Sequence, residues 1–175
     1  YQSSLALTTG HNNVAIGNTA LLNSQDIGFA VAIGNSVMAS GTMTSDADGT
    51  VAIGQSALTS LTSGQYNVAV GYEAASTMAA NDGITAFGYQ AAKGASGGGT
   101  YNTALGYQSL LVIDGGGSNV GVGAGTLKAL NSGAENAAVG INAGNALTTG
   151  HSNVLLGANA GSTATTEIAN SVMVG

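Results

Sequence analysis

The sequence predicts an all-β chain, a parallel β-roll or β-solenoid of about ten 17-residue coils, and three observations carry that prediction. A five-residue phrase, first met as Asn13-Val14-Ala15-Ile16-Gly17, returns along the whole chain to Ser171-Val172-Met173-Val174-Gly175. Its closing glycines, Gly17, Gly34, Gly54, Gly71, Gly88, Gly106, Gly123, Gly140, Gly157 and Gly175, are separated by steps of 17, 20, 17, 17, 18, 17, 17, 17 and 18 residues. A spacing this regular marks stacked copies of one unit too small to bury its own apolar face. The third observation is placement: in a chain with 29 glycines, the large apolar residues fall in fixed columns of the unit.

The strand comes first. Three residues before each anchor glycine stand Val14, Val31, Val51, Val68, Thr85, Thr103, Val120, Ala137, Val154 and Val172, almost all β-branched. Just before the glycine stands an apolar residue in every copy, from Ile16 and Ile33 to Phe87, Leu105 and Val174. Period-two alternation puts these two columns on one face, expected to be the core. The residue between them is usually alanine, as at Ala32, Ala69 and Ala104, so the opposite face is expected to be small and flat, with room for another backbone or subunit.

A second strand is expected around the small column three residues after the anchor, Ala20, Val37, Ala57, Ala74, Ala91, Ser109, Thr126, Ala143 and Ala160, often followed by Leu or Met. Ten before the anchor lies a further apolar column, Leu7, Leu61, Met78, Ile113, Leu130 and Leu147. Seven before it stand Gly10, Gly64, Asn81, Gly99, Gly116, Gly133 and Gly150, residues that tolerate positive φ and so predict the turning corner. Stacked at about 4.8 Å per coil, ten coils reach on the order of 50 Å. Residues 1–175 then form a single repeat array. Tyr1-Gln2-Ser3 matches Tyr107-Gln108-Ser109 inside a later copy, so the chain is expected to be an excerpt of a longer protein.

Other architectures and several functions are disfavoured. Paired-helix repeats need about 33 residues, and these apolar positions are too β-branched and glycine-flanked for helices. The Gly-Gly-x-Gly-x-Asp signature of calcium-binding nonapeptide rolls does not occur. Two lysines, no arginine and a net charge of −6 argue against nucleic acid as a partner. Without cysteine there is neither a disulfide framework nor a thiolate metal site. No segment approaches the ~18–20 apolar residues of a membrane span, so direct membrane insertion is not expected. Ordering the backbone costs about 1–2 kcal/mol per residue, whereas a fully buried large apolar side chain returns about 1.5–3 kcal/mol. Coils with few large side chains therefore need a partner, and an obligate homo-oligomer is expected.

The columns resemble the head repeats of the trimeric autotransporter adhesins, the Yersinia adhesin type, whose motif is Asn-x-Val-Ala-Ile-Gly-x-x-Ala/Ser; Asn13 through Ala20 is similar to it, with the asparagine directly before Val14 and the Val-Ala-Ile-Gly-x-x-Ala run intact. The resemblance implies a left-handed parallel β-roll and a homotrimer around a shared axis. An added Leu-Thr-Thr-Gly corner, at Leu7–Gly10 and Leu147–Gly150, makes the units longer than the family's and similar to arrays in bacteriophage tail fibres.

The candidate sites follow from the columns. Asn13, Asn67, Asn102, Asn119, Asn136 and Asn153 precede the strand and are expected to stack as a structural amide ladder. Tyr72, Tyr89 and Tyr107 follow three successive anchors, with Gln90 and Gln108 beside two of them. Aromatic rings flanked by amides suit a glycan-binding stripe, and stacked rings equally suit a plain ladder. Tyr66 and Tyr101 precede the strand and extend that surface. Asp46 and Asp48 lie in the single 20-residue step and are weak candidates for a hard cation, which needs six to eight oxygens; no metal or other cofactor is expected. His11 and His151 share a corner position eight coils apart, and Gly97–Gly99 and Gly115–Gly117 lack the Lys-Ser/Thr of a phosphate loop.

No catalytic set emerges, so the expectation is a non-enzymatic structural and adhesive segment of a trimeric fibre, extracellular, on a cell surface or on a virion. It would attach through a cell-surface glycan or receptor, with avidity from three copies. The alternatives are a bacterial surface adhesin head and, lower, an ice-binding solenoid, whose threonines would have to recur on every coil. Thr8-Thr9 and Thr148-Thr149 do not.

Overall fold

The computed structural model describes residues 3, 7–39, 42–163 and 167–175, so Tyr1 and Gln2 lie outside the described residues. Among these, ten three-residue strands form one parallel sheet in chain order: β1 Val14–Ile16, β2 Val31–Ile33, β3 Val51–Ile53, β4 Val68–Val70, β5 Thr85–Phe87, β6 Thr103–Leu105, β7 Val120–Val122, β8 Ala137–Val139, β9 Val154–Leu156 and β10 Val172–Val174. Each strand pairs with the next in register, Ala69 against Ala86 and Ala86 against Ala104 for example, so the chain is a β-solenoid of about nine turns. No α-helix occurs among the described residues, and the longest step is filled by a 3-10 turn at Ser45–Ala47.

The strand's alternation is as the sequence reads, but its two faces are exchanged. Ala32, Ala52, Ala69, Ala86, Ala104, Ala138 and Leu155 are fully buried, while the Val and Ile columns on either side are half-buried or exposed, Ile16 at 58% and Val139 at 42%. The expectation of a Val/Ile core is therefore corrected. The cause lies across the coil, where a second set of large side chains already occupies the interior: Leu21, Met38, Leu58, Leu110 and Leu127, four residues after the anchor, and Leu61, Met78, Ile113, Leu130 and Leu147, ten before the next one. So thin a coil has room for little more than a methyl group behind the strand. The exception supports the rule. Leu155 replaces alanine in β9, and glycines replace leucine in the facing column, where a Cβ on Gly144 would lie 2.6 Å from Leu155 Cδ1 and one on Gly161 2.9 Å from its Cδ2.

The expected second strand is a chain of turns. Ala57 and Leu58, or Ser109 and Leu110, are consecutive and both fully buried, which a pleated strand cannot arrange because it sends neighbours to opposite faces. Positive φ resolves this, at Ser56 (58°) and Leu58 (49°), at Gln108 and Leu110 (both 51°), and at the same two positions in the other coils. Backbone bonds still join coil to coil, Leu58 N–H to Ala74 C=O at 3.0 Å and Gln108 N–H to Tyr89 C=O at 2.9 Å, so the groups that leave the sheet remain paired.

The corner is also reassigned. Of the column seven before the anchor, Gly64 alone takes positive φ, at 103°. Gly10 and Gly150 stand there because a Cβ would lie 2.6 Å from the carbonyl oxygens of Ile27 and Ile168 in the next coil; Gly99, Gly116 and Gly133 meet the following coil in the same way. The left-handed residue of the corner falls two positions later, at Asn12, Phe29, Gly49, Tyr66, Gly83, Tyr101, Ser118 and Glu135.

Candidate functional site

The amide ladder is built at that corner and faces inward. Asn67, Asn102, Asn119, Asn136 and Asn153 are buried, each giving Nδ2–H to a carbonyl of the following coil: Asn102 to Gly116, Asn119 to Gly133 and Asn136 to Gly150, all at 2.8 Å. Their Oδ1 atoms accept the backbone N–H of the residue one coil on, Asn119 to Asn102 at 2.9 Å and Asn136 to Asn119 at 3.0 Å. Asn13 makes the same pair of contacts, to Ile27 C=O and from Ala30 N–H, at the half-buried start of the column. Where the column holds Ile84 instead, Asn81 three residues earlier supplies the missing donor to Gly99 C=O at 2.7 Å. The ladder asparagines from Asn67 to Asn153 are closed to a ligand because their amide groups are spent within the chain, whereas Asn81 Oδ1 is buried without a partner.

The outward face is the reverse of the ladder, a flat sheet surface of Val, Ile, Leu, Phe and Thr running through all ten strands, with no residue of either outer column fully buried. Tyr72, Tyr89 and Tyr107 come two residues after the second outer column and are exposed. Their rings are stacked, centroids 5.5 and 5.2 Å apart and planes within 8°. A ring stacked on both sides offers a sugar only its edge and hydroxyl, so the middle of this stripe does not present a stacking face. Gln108 gives Nε2–H to Gln90 Oε1, and Gln90 to Glu73 Oε2, both at 2.8 Å. Lys93 Nζ ends the row on the same Glu73 oxygen at 2.6 Å. The Lys93 ammonium, followed by the Gln90 amide, holds the Glu73 carboxyl below its ordinary pKa.

Asp46 and Asp48 are divided between two jobs. Asp48 Oδ1 accepts the Gly28 N–H at 2.6 Å, and Asp82, two coils later, accepts the Gln65 N–H at 2.8 Å, so both act as caps for a neighbouring coil. Asp46 instead borders an open polar cleft of about 380 Å³ with Ser63, Gly64, Gln65, Ala80 and Asp82. Among the described residues no three metal-ligating side chains gather. His11 packs edge-on against Phe29 at 5.0 Å, and His151 lies by Thr149 and Glu167 near the other end of the array, so the two imidazoles stay apart.

One feature escapes a reading by single columns of large residues. The corner's left-handed position alternates ring and glycine, Phe29, Gly49, Tyr66, Gly83, Tyr101, and the two tyrosines are the most exposed aromatic rings described, at 70% and 66%. Scanning that column for glycine as well as for rings would have found it. Comparison with protein families, with characterised proteins and with solved structures gives no match for the chain, so its function is argued from these residues.

Proposed function

We propose that this chain is a structural and adhesive segment of a homotrimeric fibre, working outside the cell or on a virion. The observation that carries the reading is the outward sheet face. Two columns of β-branched and large apolar side chains run the length of the array, and Val14, Ile16, Phe87, Val120, Val139, Val154 and Leu156 each keep at least about a third of their surface in water. A contiguous apolar face of this kind is the mark of an interaction surface, and its repeat makes it self-complementary to other copies of the same chain. Packing three such faces around an axis supplies the burial that the thin interior lacks. The likeness of the Asn-Val-Ala-Ile-Gly array to trimeric adhesin heads and tail-fibre arrays favours three copies and a left-handed roll. The product is a stiff rod that multiplies weak surface contacts.

Sedimentation equilibrium at micromolar concentration tests this, with trimer expected for the wild type. Phe87→Asp with Val122→Asp, two charges on the outward face, should yield a monomer. A wild-type chain that sediments as a monomer with intact far-UV circular dichroism would overturn the reading.

A further inference from the structure

We propose that the coil corner carries a binding strip, formed by Phe29, Tyr66 and Tyr101, for a neutral β-1,4-linked polysaccharide lying extended along the solenoid axis. The three rings occupy one column and recur on every second coil, all at positive φ of 55–60°. Glycine stands in that column on each intervening coil. A Cβ on Gly49 would lie 3.0 Å from Tyr66 Cδ1, and one on Gly83 2.7 Å from Tyr101 Cδ1, so the rings fill space that glycine vacates. The tyrosines that follow the anchors are one coil apart and close on one another. These are two coils apart, about 10 Å, and cannot.

That spacing suits a particular polymer. In an extended β-1,4 chain each sugar is turned over relative to the last, so the same apolar C–H face returns once per disaccharide, over a length close to two coil steps. Each ring then receives one sugar face, while the hydroxyls between need polar partners. The cleft beside Tyr66 supplies them from Asp46, Gln65 and Asp82. The chain's net charge of −6 disfavours polyanionic glycans and selects a neutral one. In biological use the strip rests on the adhesive-fibre reading, and its chemistry can be tested apart from it.

The experiment is titration calorimetry of the purified, assembled protein with cellohexaose, chitohexaose and, as the α-linked control, maltohexaose. Binding is expected to at least one β-linked hexasaccharide and not to maltohexaose; which of the two binds distinguishes a glucan from an aminoglycan. Tyr66→Ala should weaken binding about tenfold, Tyr66→Phe should retain it, and Tyr89→Ala should leave it unchanged. Ser118→Gly with Glu135→Tyr extends the pattern by two coils and should tighten binding of longer oligosaccharides. The strip is refuted if the folded wild type binds neither β-linked hexasaccharide, if maltohexaose binds equally, or if Tyr89→Ala costs as much as Tyr66→Ala. Sedimentation of the same samples separates this failure from failure of the fibre reading, since a trimer that ignores the sugars overturns only the strip.

Discussion

Asn119→Ala puts a number on the buried ladder. The Asn119 side chain donates to Gly133 C=O at 2.8 Å and to Asn102 Oδ1 at 3.0 Å, and accepts the Asn136 N–H at 3.0 Å and Asn136 Nδ2 at 2.9 Å. Truncation does not strand all four partners. Asn102 Oδ1 keeps the Asn119 backbone N–H, and Asn136 Nδ2 keeps Gly150 C=O. The Gly133 carbonyl and the Asn136 amide lose this partner in a buried site, and each such orphan costs about 1–3 kcal/mol, which predicts a loss of about 2–6 kcal/mol per chain. Because a linear array can open locally, urea unfolding followed by circular dichroism should be paired with hydrogen exchange at the Asn136 amide. Asn13→Ala makes the internal comparison: its two contacts lie in a half-buried setting where water can replace the side chain, so its cost should be well below that of Asn119→Ala. A change under about 0.5 kcal/mol for Asn119→Ala, with the Asn136 amide still protected, would refute the claim that the ladder is an energetic spine.

The interior volume rule gives a second test: Leu155→Ala should open a cavity and cost about 2–5 kcal/mol, while Leu155→Ala with Gly161→Leu should recover part of that loss in thermal unfolding. No recovery would mean that the two positions do not share one space. Glu73 gives a pH test with a definite sign. Folding lowers its pKa, so its contribution is present above the ordinary value of 4.5 and is lost as pH falls through the depressed folded value. The stability of Glu73→Gln measured across that acid range should therefore fall less steeply than that of the wild type, and parallel curves would exclude the Lys93 contact as the cause.

The fold was readable because its signals are periodic. The anchor glycines, the β-branched column and the alternating alanine fix a parallel strand in each coil, and all ten strands lie where those columns put them. The direction of the strand's faces was not readable from the strand alone. Size suggests that Val and Ile go inside, but Leu58 and Leu61 fill the interior from the other wall and leave no room, a packing that the strand's own residues do not announce. The signal was present in a weaker form: Ala57-Leu58 and Ala74-Ala75 are adjacent apolar pairs that a strand cannot bury together, which betrays a turn and a second source of core volume. At the site, the asparagine column was legible because one residue type repeats. The closed stack of Tyr72, Tyr89 and Tyr107 follows from a spacing of one coil, which seats the rings at contact distance. The corner strip stayed hidden because half of its pattern is written in glycine.

The pairing of Leu155 with Gly144 and Gly161 bears on how such an array changes over generations. Tandem repeats lengthen and shorten by recombination between copies, which would work freely if every copy were an interchangeable part. Here it is not: a leucine on one strand faces gaps left by the copy before it and by its own far wall. Moving β9 and its coil to follow β6 would keep Gly161 but set the Leu155 side chain against Leu110 in place of Gly144, and Leu110 has no gap to give. Each junction is thus a lock between particular neighbours, and gain or loss of a coil succeeds where both sides carry a small strand residue with a leucine facing it, as Ala104 with Leu110 and Gly121 with Leu127 do at β6 and β7. The repeat's most uniform stretches mark where it can be edited, and its irregular ones mark where its order has become fixed.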